Sequence, residues 1–585
     1  MTRSGINGIH GGLIAVVAVL LALTGCAPGL PTDGPVGRAE APPADGYEYQ
    51  RDPVSPRPGA GPEDIIQGFL QAGAGPQNDY EVAREYLTED AAQDWSADAR
   101  TFVYTGEPTI QEAEGEAFIV EIQLDRFVDS NGSMSRPGGT ETFHFEVEEV
   151  DDQWRIVDAP AGKILHAGTF GEVYTDYTLY FYDPQQRYAV PDMRWFISRP
   201  GLPAEIAHRI LEGPAPWLEA GADSAFGPES SLGNPSVPVD ELVATVDLDP
   251  AVTAGASEAD LALMRHQLNL ALSQLSTVRD TEITVNGSSL EIPRPADLSE
   301  DEQLDIETSP SAGETQIGVQ DGALVRQTGT TTNEISGLPD ISGLDPRFPA
   351  KPTPPADQVF AFMDGDLEAL YQVRDGAEAP ELLVEADRLT RPSMDNFGWT
   401  WTVTHNDDGD ATIRAYSYDD PSETTSAEVP ADFLEDKEVT SMRISQDGTR
   451  AALVVDDAGV RALYIASVVR DGSTGVPRGL GGHYVLNADV AIEEVRWAEN
   501  DAVMVWQPWD PEESDDPAQG LVQRISLSGI LSDPEEGVTG LLNVSIGEGR
   551  TNIYMEQSGD QVYVSVGDRW TRQEEIQVQD LSYSG

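Results

Sequence analysis

The chain has 585 residues, 102 of them acidic and 35 basic, for a formal charge of −67 at neutral pH. A surface this acidic is repelled by nucleic acid and by anionic lipid headgroups, which excludes both as preferred partners and favours a partner with basic patches. There is a single cysteine, so no disulfide within the chain can staple the fold, and each domain must stand on its own core.

Arg3 is followed by an apolar run from Leu13 to Leu23 and then by Leu23-Thr24-Gly25-Cys26. This is the three-part layout of an export signal, ending in the Leu-x-Gly-Cys pattern of a bacterial lipobox. It predicts a signal peptide over residues 1–25, cut between Gly25 and Cys26. Cys26 is then expected to carry S-diacylglycerol and N-palmitoyl groups. The apolar run is too short for a spanning helix, which wants ~20 apolar residues. Residues 26–62 are dense in Pro and Gly and poor in large apolar side chains, which predicts a flexible tether. The expected location is the extracytoplasmic face of the cell membrane, held there by the lipid anchor.

Residues 63–168 open with helical stretches over 63–70 and 79–87. Ile65, Ile66, Phe69 and Leu70 form one apolar face of the first. Strand-like runs follow at Phe118–Leu124, Glu141–Val147 and Gln153–Val157, with Asn131-Gly132 and Pro137-Gly138-Gly139 as turns. Helices first and then an antiparallel sheet spell an α+β domain. The pattern resembles the cystatin-like or nuclear-transport-factor-like cone, a fold that serves recognition as readily as catalysis.

Residues 171–293 read as strand, strand, helix, then strand, helix, strand. The first two strands are Tyr174–Tyr182 and Met193–Ile197, and the first helix covers Pro203–Leu211, ended by Gly213-Pro214. Val243–Leu248 is the next strand. Ser257 and Asp260 stand where an N-cap and a first-turn acid belong, before a helix over Leu261–Leu275. A strand at Glu282–Val285 closes the block. This order resembles the α/β GerMN module of spore-germination and cell-envelope lipoproteins. His208 and His266 fall on the two helices, and without a second ligand at zinc-like spacing they read as ordinary helix histidines.

Residues 294–314 are acidic and poor in apolar side chains, predicting a solvated linker. Residues 315–585 then change to short strands and turns with no helical period. Fragments around Met394, Met442, Val495 and Val544 can be laid over one another, roughly 50 residues apart, each a strand, a polar turn and a returning strand. That is the signature of β-propeller blades, and the length suits five or six. Ser445-Gln446-Asp447-Gly448 resembles the hairpin turn common in such blades. Asp407, Asp408 and Asp447 are read as hairpin caps rather than calcium ligands.

No nucleophile elbow, zinc-protease helix or phosphate loop occurs, and the lone cysteine is assigned to the lipid. The expectation is a non-enzyme with no catalytic residue, no metal site and no cofactor. The lipobox, the cone-like domain, the GerMN-like module and the propeller ending at Gly585 together resemble the LpqB family of actinobacterial lipoproteins. That resemblance implies a role beside the MtrA–MtrB two-component system in cell-envelope homeostasis and division. The implied partner is the extracytoplasmic domain of the MtrB sensor histidine kinase. The alternative is a cell-wall glycan-binding protein or hydrolase that uses the propeller, since two carboxylates suffice for glycoside hydrolysis.

Overall fold

Pro62 stands at the first turn of helix α1 (Pro62–Ala72), where its missing N–H costs nothing, and Glu63 and Asp64 follow it at the positive end of the helix. The apolar face expected from the sequence is buried: Ile65, Ile66, Phe69 and Leu70 enter the core of the first domain. The computed structural model describes residues 53–113, 115–293, 305–353, 358–406, 409–418, 425–509, 520–547, 552–557, 561–566 and 569–584. Gly25, Cys26, the expected signal peptide and the expected tether up to Asp52 lie outside the described residues, as do Asp407 and Asp408.

The second expected helix shrinks to the single turn α2 (Glu81–Arg84). Asn78, Asp79 and Tyr80 take left-handed backbone, with φ of 49°, 57° and 58°, so no helix can begin before Glu81. Helix α3 (Glu89–Asp94) follows, capped by the Thr88 hydroxyl, which accepts the Ala91 N–H. The sheet consists of β1 (Thr101–Glu112), β2 (Ala117–Val128), β3 (Met134–Ser135), β4 (Thr140–Val150), β5 (Gln153–Asp158) and β6 (Lys163–His166). Its order is β5-β4-β2-β1-β6, with β3 added to β2. All pairs are antiparallel except β1–β6, which the connection after β5 makes parallel. Strand β4 alternates along its length, with Phe143, Phe145 and Val147 inward and Thr142, His144 and Glu146 outward.

The second domain is built on the hairpin β7 (Tyr174–Tyr182) and β8 (Ala189–Ile197), the helix α4 (Leu202–Glu212) and a separate sheet. That sheet runs β12-β11-β10-β9, from β9 (Val239–Asp240), β10 (Val243–Leu248), β11 (Asp280–Val285) and β12 (Ser288–Ser289). Strands β10 and β11 are parallel, so the chain must cross over between them, and helix α5 (Glu258–Leu272) makes the crossover. Ser257 is its N-cap, as the sequence indicates, and the Asp260 first-turn acid completes a capping box with it. The Ser257 hydroxyl accepts the Asp260 N–H at 3.1 Å, and the Asp260 carboxylate accepts the Ser257 N–H at 2.9 Å.

Beyond residue 315 the described residues form six sheets of four or five strands. In sequence they are the blades of a propeller. Blade two begins at Arg347–Ala350, blade three at Arg388–Leu389 and Ser393–Met394, blade four at Glu438–Ile444, blade five at Glu494–Glu499 and blade six at Leu541–Ile546. The aligned positions Met394, Met442, Val495 and Val544 fall on the first strands of four successive blades, and all four are buried. Blade one is made from both ends of the propeller. Its strands Gln316–Gln320, Ala323–Thr328 and Thr331–Glu334 come from the start, and Gln579–Ser582 comes from the end. Just before the strand that seals the ring, Ile576 and Val578 serve as core side chains beside Val325 and Tyr554.

The blocks are not independent beads. Leu179 and Phe181 of β7, Ile206 of α4 and Leu268 of α5 share one continuous apolar core with Val454, Leu463 and Ile465 of blade four and Val503 of blade five. The Trp195 indole donates to the Ser528 carbonyl at 2.7 Å, and Trp217 packs edge-on against Tyr484 at 5.0 Å. The first domain also reaches the propeller: the Arg136 N–H donates to the Val485 carbonyl at 3.0 Å. Residues 294–304 of the expected linker lie outside the described residues, but its later part is packed structure. Glu307 pairs through its backbone with Arg187 and Ala189, and Ala312 is buried. The expectation of a propeller standing alone behind a solvated linker therefore gives way to a propeller with a built-on second domain.

Candidate functional site at the propeller axis

Four arginines and three carboxylates meet where the first strands of the blades converge. Arg347 opens blade two, Arg391 precedes the short first strand of blade three, and Arg443 and Arg496 sit on the first strands of blades four and five. Glu494 is on blade five, Glu556 on the second strand of blade six, and Asp580 on the closing strand. Arg391 spans the axis: its Nε lies 3.0 Å from Glu494 of blade five, and its Nη1 donates to the Asn543 amide oxygen of blade six at 3.3 Å. Its guanidinium rests on the Phe348 ring, 3.9 Å from the centroid. Arg443 donates through Nη1 to the carbonyls of Arg391 and Pro392, tying blade four to blade three. The Ser441 hydroxyl donates to Glu494 at 3.0 Å, tying blade four to blade five.

The carboxylates on the other side of the axis hold the ring closed. Glu556 accepts from the Asn543 amide and from the backbone N–H groups of Asp580 and Leu581. Asp580 takes left-handed backbone and pairs with Arg347 at 2.7 Å. Burial, and then the Asp580 charge beside it, push the Glu556 carboxyl up to about 8. A raised acid beside an ionised carboxylate is the electrostatic arrangement that sorts roles in glycosidases. Here the donors around Glu556 and the Arg347 fork on Asp580 already occupy both groups.

The turn aspartates also serve structure. Asp447 is fully buried, accepts from the Thr449 N–H at 3.0 Å and Thr449 hydroxyl at 2.7 Å, and pairs with Arg450. Asp395 plays the same part in blade three, accepting the Phe397 N–H, the Trp399 N–H and the Trp401 indole while pairing with Arg470 at 2.6 Å. Both cap hairpins, and among the described residues no group of His, Cys, Asp or Glu converges as a metal site.

Two other places, a buried lysine and a cleft, lie in or beside the first domain. Lys163, buried at the junction of the first two domains, donates to Asp98 at 2.7 Å and to the Tyr80 hydroxyl at 2.9 Å. Burial opposes its charge, yet Tyr174, Tyr80 and Asp98 together hold its pKa above the usual lysine value. That is a locked cation; a nucleophilic lysine needs the opposite shift. A cleft of about 410 Å³ in the first domain is lined by Leu70, Tyr86, Tyr104, Leu165 and His166, with Pro53 and Val54 at its edge. As for the helix histidines, His208 bonds Glu212 at the surface, and His266 meets the Tyr182 hydroxyl at 3.0 Å.

Sequence reasoning did not single out the axial set. One signal was available: in the blade alignment, Arg443 and Arg496 each follow the aligned apolar residue, and Ser441 and Glu494 each precede it. A strand alternates its faces, so these flanking positions must share a face opposite Met442 and Val495.

The molecule is thus a multidomain protein in which a strand–helix–strand module is seated on a six-bladed propeller behind an α+β domain. Family models match all three parts: "Lipoprotein LpqB, N-terminal domain" over residues 55–171, "Sporulation and spore germination" over 178–291 and "Lipoprotein LpqB beta-propeller domain" over 322–582. The chain belongs to the LpqB family of lipoproteins. It is 30% identical to the Lipoprotein LpqB of Nocardia farcinica over 84% of this chain and 83% of that one. To the Lipoprotein LpqB of Streptomyces coelicolor it is 28% identical, over 79% of each. Among solved structures it is similar to the first GerMN domain of the Bacillus subtilis sporulation protein GerM, with 16% identity, a TM-score of 0.18, and coverage of 20% of this chain and 89% of that chain.

Proposed function

We propose that the protein is a membrane-tethered accessory of a sensor kinase of the MtrA–MtrB type, acting by binding and without turnover. In this reading Cys26 carries the lipid on the extracytoplasmic face of the membrane and the folded body docks on the extracytoplasmic domain of the kinase. The tether is shorter than the expected 26–62, because Val54 and Gly59 bond to Tyr86 and Gln153 of the first domain and Pro62 opens α1. The observation that carries it is the use made of buried charge. Asp395, Asp447, Glu556 and Asp580 each hold a turn or close the ring, and the charged groups of the axis bind blade to blade. This leaves the outer surface to meet a protein partner. The helices packed on the sheet of the first domain also fit the cystatin-like or nuclear-transport-factor-like cone, a fold common in recognition.

Tethering to one membrane raises the effective concentration of a partner in that membrane, so a weak interface suffices. The net charge of −67 calls for a basic complement, and binding should weaken as salt rises. Among the described residues no helix is long and apolar enough to cross a membrane. The test is calorimetric titration of the purified kinase domain with this protein at low and high salt. Binding at micromolar concentration supports the reading. No binding at tens of micromolar, together with release of fragments from wall glycan, transfers it to the second reading. That reading is a glycan-binding protein or hydrolase, and the raised Glu556 beside Asp580 is the feature in its favour.

A further inference from the structure

We propose that the propeller axis binds a small oxyanion, a phosphate or the carboxylates of a small acid, between Arg391, Arg443 and Arg496. The proposal goes beyond the accessory role and stands without it. It starts from a mismatch of charge. Arg347 is matched by Asp580 at 2.7 Å, Arg391 and Arg443 share Glu494, and Arg496 forms no ion pair among the described residues. Glu494 lies 3.0 Å from Arg391 but 3.9 Å from the Arg443 Nη2.

The second observation is unmet hydrogen-bonding capacity in a buried place. Arg443 is 1% exposed, and its Nε and Nη2 have no hydrogen-bond partner among the described residues. Arg496 is 9% exposed, and its Nε has none either. A buried guanidinium left without a full set of acceptors is costly, several kcal/mol per unpaired ion in general. The tension shows in both groups. Burial and the Arg496 charge hold the Arg443 pKa well below the usual arginine value, and burial lowers Arg496 to about 10, opposed by the Glu494 charge and reinforced by Arg391. Glu556, with its carboxyl raised to about 8, adds little compensating charge at neutral pH.

The chemistry of the donors selects the ligand. Guanidinium forks match the paired oxygens of carboxylate and phosphate, and a desolvated site favours an ion that can accept several N–H bonds at once. In a chain with 102 acidic and 35 basic residues, an axis where four arginines outnumber three carboxyl groups forms a positive island that repels basic and attracts acidic ligands. The Arg391 guanidinium is already oriented by Phe348 and Asn543, so little ordering is needed on binding. The side chains of Arg347 and Arg391 are 34% and 15% exposed, so the axis opens to solvent on their side.

The experiment uses the detergent-purified full-length protein at pH 7. Thermal unfolding is followed against sodium phosphate, sodium citrate and sodium chloride at matched ionic strength, for the parent and for Arg496→Met. Arg496 is chosen because Arg443 also holds three backbone carbonyls, and its removal threatens the fold. Expected for the parent is a saturable rise in Tm of a few degrees with phosphate or citrate and none with chloride. Which of the two acts identifies the source of the oxyanion. Arg496→Met should melt higher than the parent in chloride, because a buried repulsion is gone, and should lose the saturable rise. A parent that responds to all three salts alike overturns the proposal. So does a variant that keeps the full oxyanion response.

Discussion

The Glu556 carboxylate accepts the backbone N–H of Asp580 at 2.6 Å, joining blade six to the strand that closes the ring. The same carboxylate accepts the Leu581 N–H and the Asn543 amide, so one buried side chain anchors the last strand of the propeller. Closure through a strand taken from the far end of the domain makes blade one depend on both ends.

Replacing Glu556 with Leu should therefore leave two buried N–H groups without acceptors. Each unsatisfied group costs ~1–3 kcal/mol, so a loss of about 2–6 kcal/mol is expected. Urea unfolding followed by tryptophan fluorescence measures it. A midpoint unchanged from the parent would show that the closing strand is held by its ladder alone.

Glu556 also makes stability depend on alkaline pH. Its folded pKa, about 8, lies above the ordinary glutamate value of 4.5, so the native state binds a proton that the unfolded chain has released. This contribution is fully present below pH 4.5 and is lost as the pH rises through about 8. Tm should fall between pH 6 and 9, and the slope should flatten in Glu556→Gln.

His405 acts in the opposite direction. Its Nε2 accepts the Val439 N–H at 3.2 Å, which requires the neutral ring, and burial with the Arg388 charge lowers its pKa from 6.5. A depressed folded pKa gives stability that is present above pH 6.5 and lost as the pH falls through the folded value. His266 and His483 shift the same way, each chiefly through burial. In a Glu556→Gln background, where the opposing carboxyl is gone, melting curves from pH 7 down to 5 should show a declining Tm, with a smaller decline when His405→Gln is added.

The seam between the second domain and the propeller is tightest at Gly482. A Cβ there would lie 2.6 Å from the Trp217 Cα and 2.7 Å from the Pro216 carbonyl oxygen, both backbone atoms that cannot step aside. Gly482→Ala is expected to cost about 1–3 kcal/mol and to loosen the seam. Limited proteolysis should then cut faster between the domains. The propeller expressed alone, with Val454, Leu463 and Ile465 of blade four uncovered, should aggregate.

In the proposed reading, lipid attachment rests on one atom, the Cys26 sulfur. Cys26→Ala should abolish incorporation of a clickable fatty acid and leave the signal peptide uncut at Gly25. Label persisting on the variant would place the anchor elsewhere.

Local pattern carried the elements whose side chains declare a face. The alternation in β4, the apolar stripe of α1 and the Ser257–Asp260 capping box are short-range features, and the structure places each where the spacing puts it. The blade repeat was legible for the same reason, since Met394, Met442, Val495 and Val544 recur with the period of the fold. The second helix failed as an expectation because Tyr80 is drawn to Asp98 and Lys163, partners far along the chain that a local window does not contain.

By itself, then, the amino-acid sequence determined the three blocks, the acidic surface and the expected anchor, because each depends on composition or on neighbours within a few residues. Tertiary structure alone decided that the second domain and blades four and five share one core, since burial joins Phe181 to Ile465 across almost three hundred residues. It also decided the site. Arg391 meets Glu494 and Asn543 only when closure of the ring brings blades three, five and six to one axis, and nothing local to Arg391 encodes that meeting.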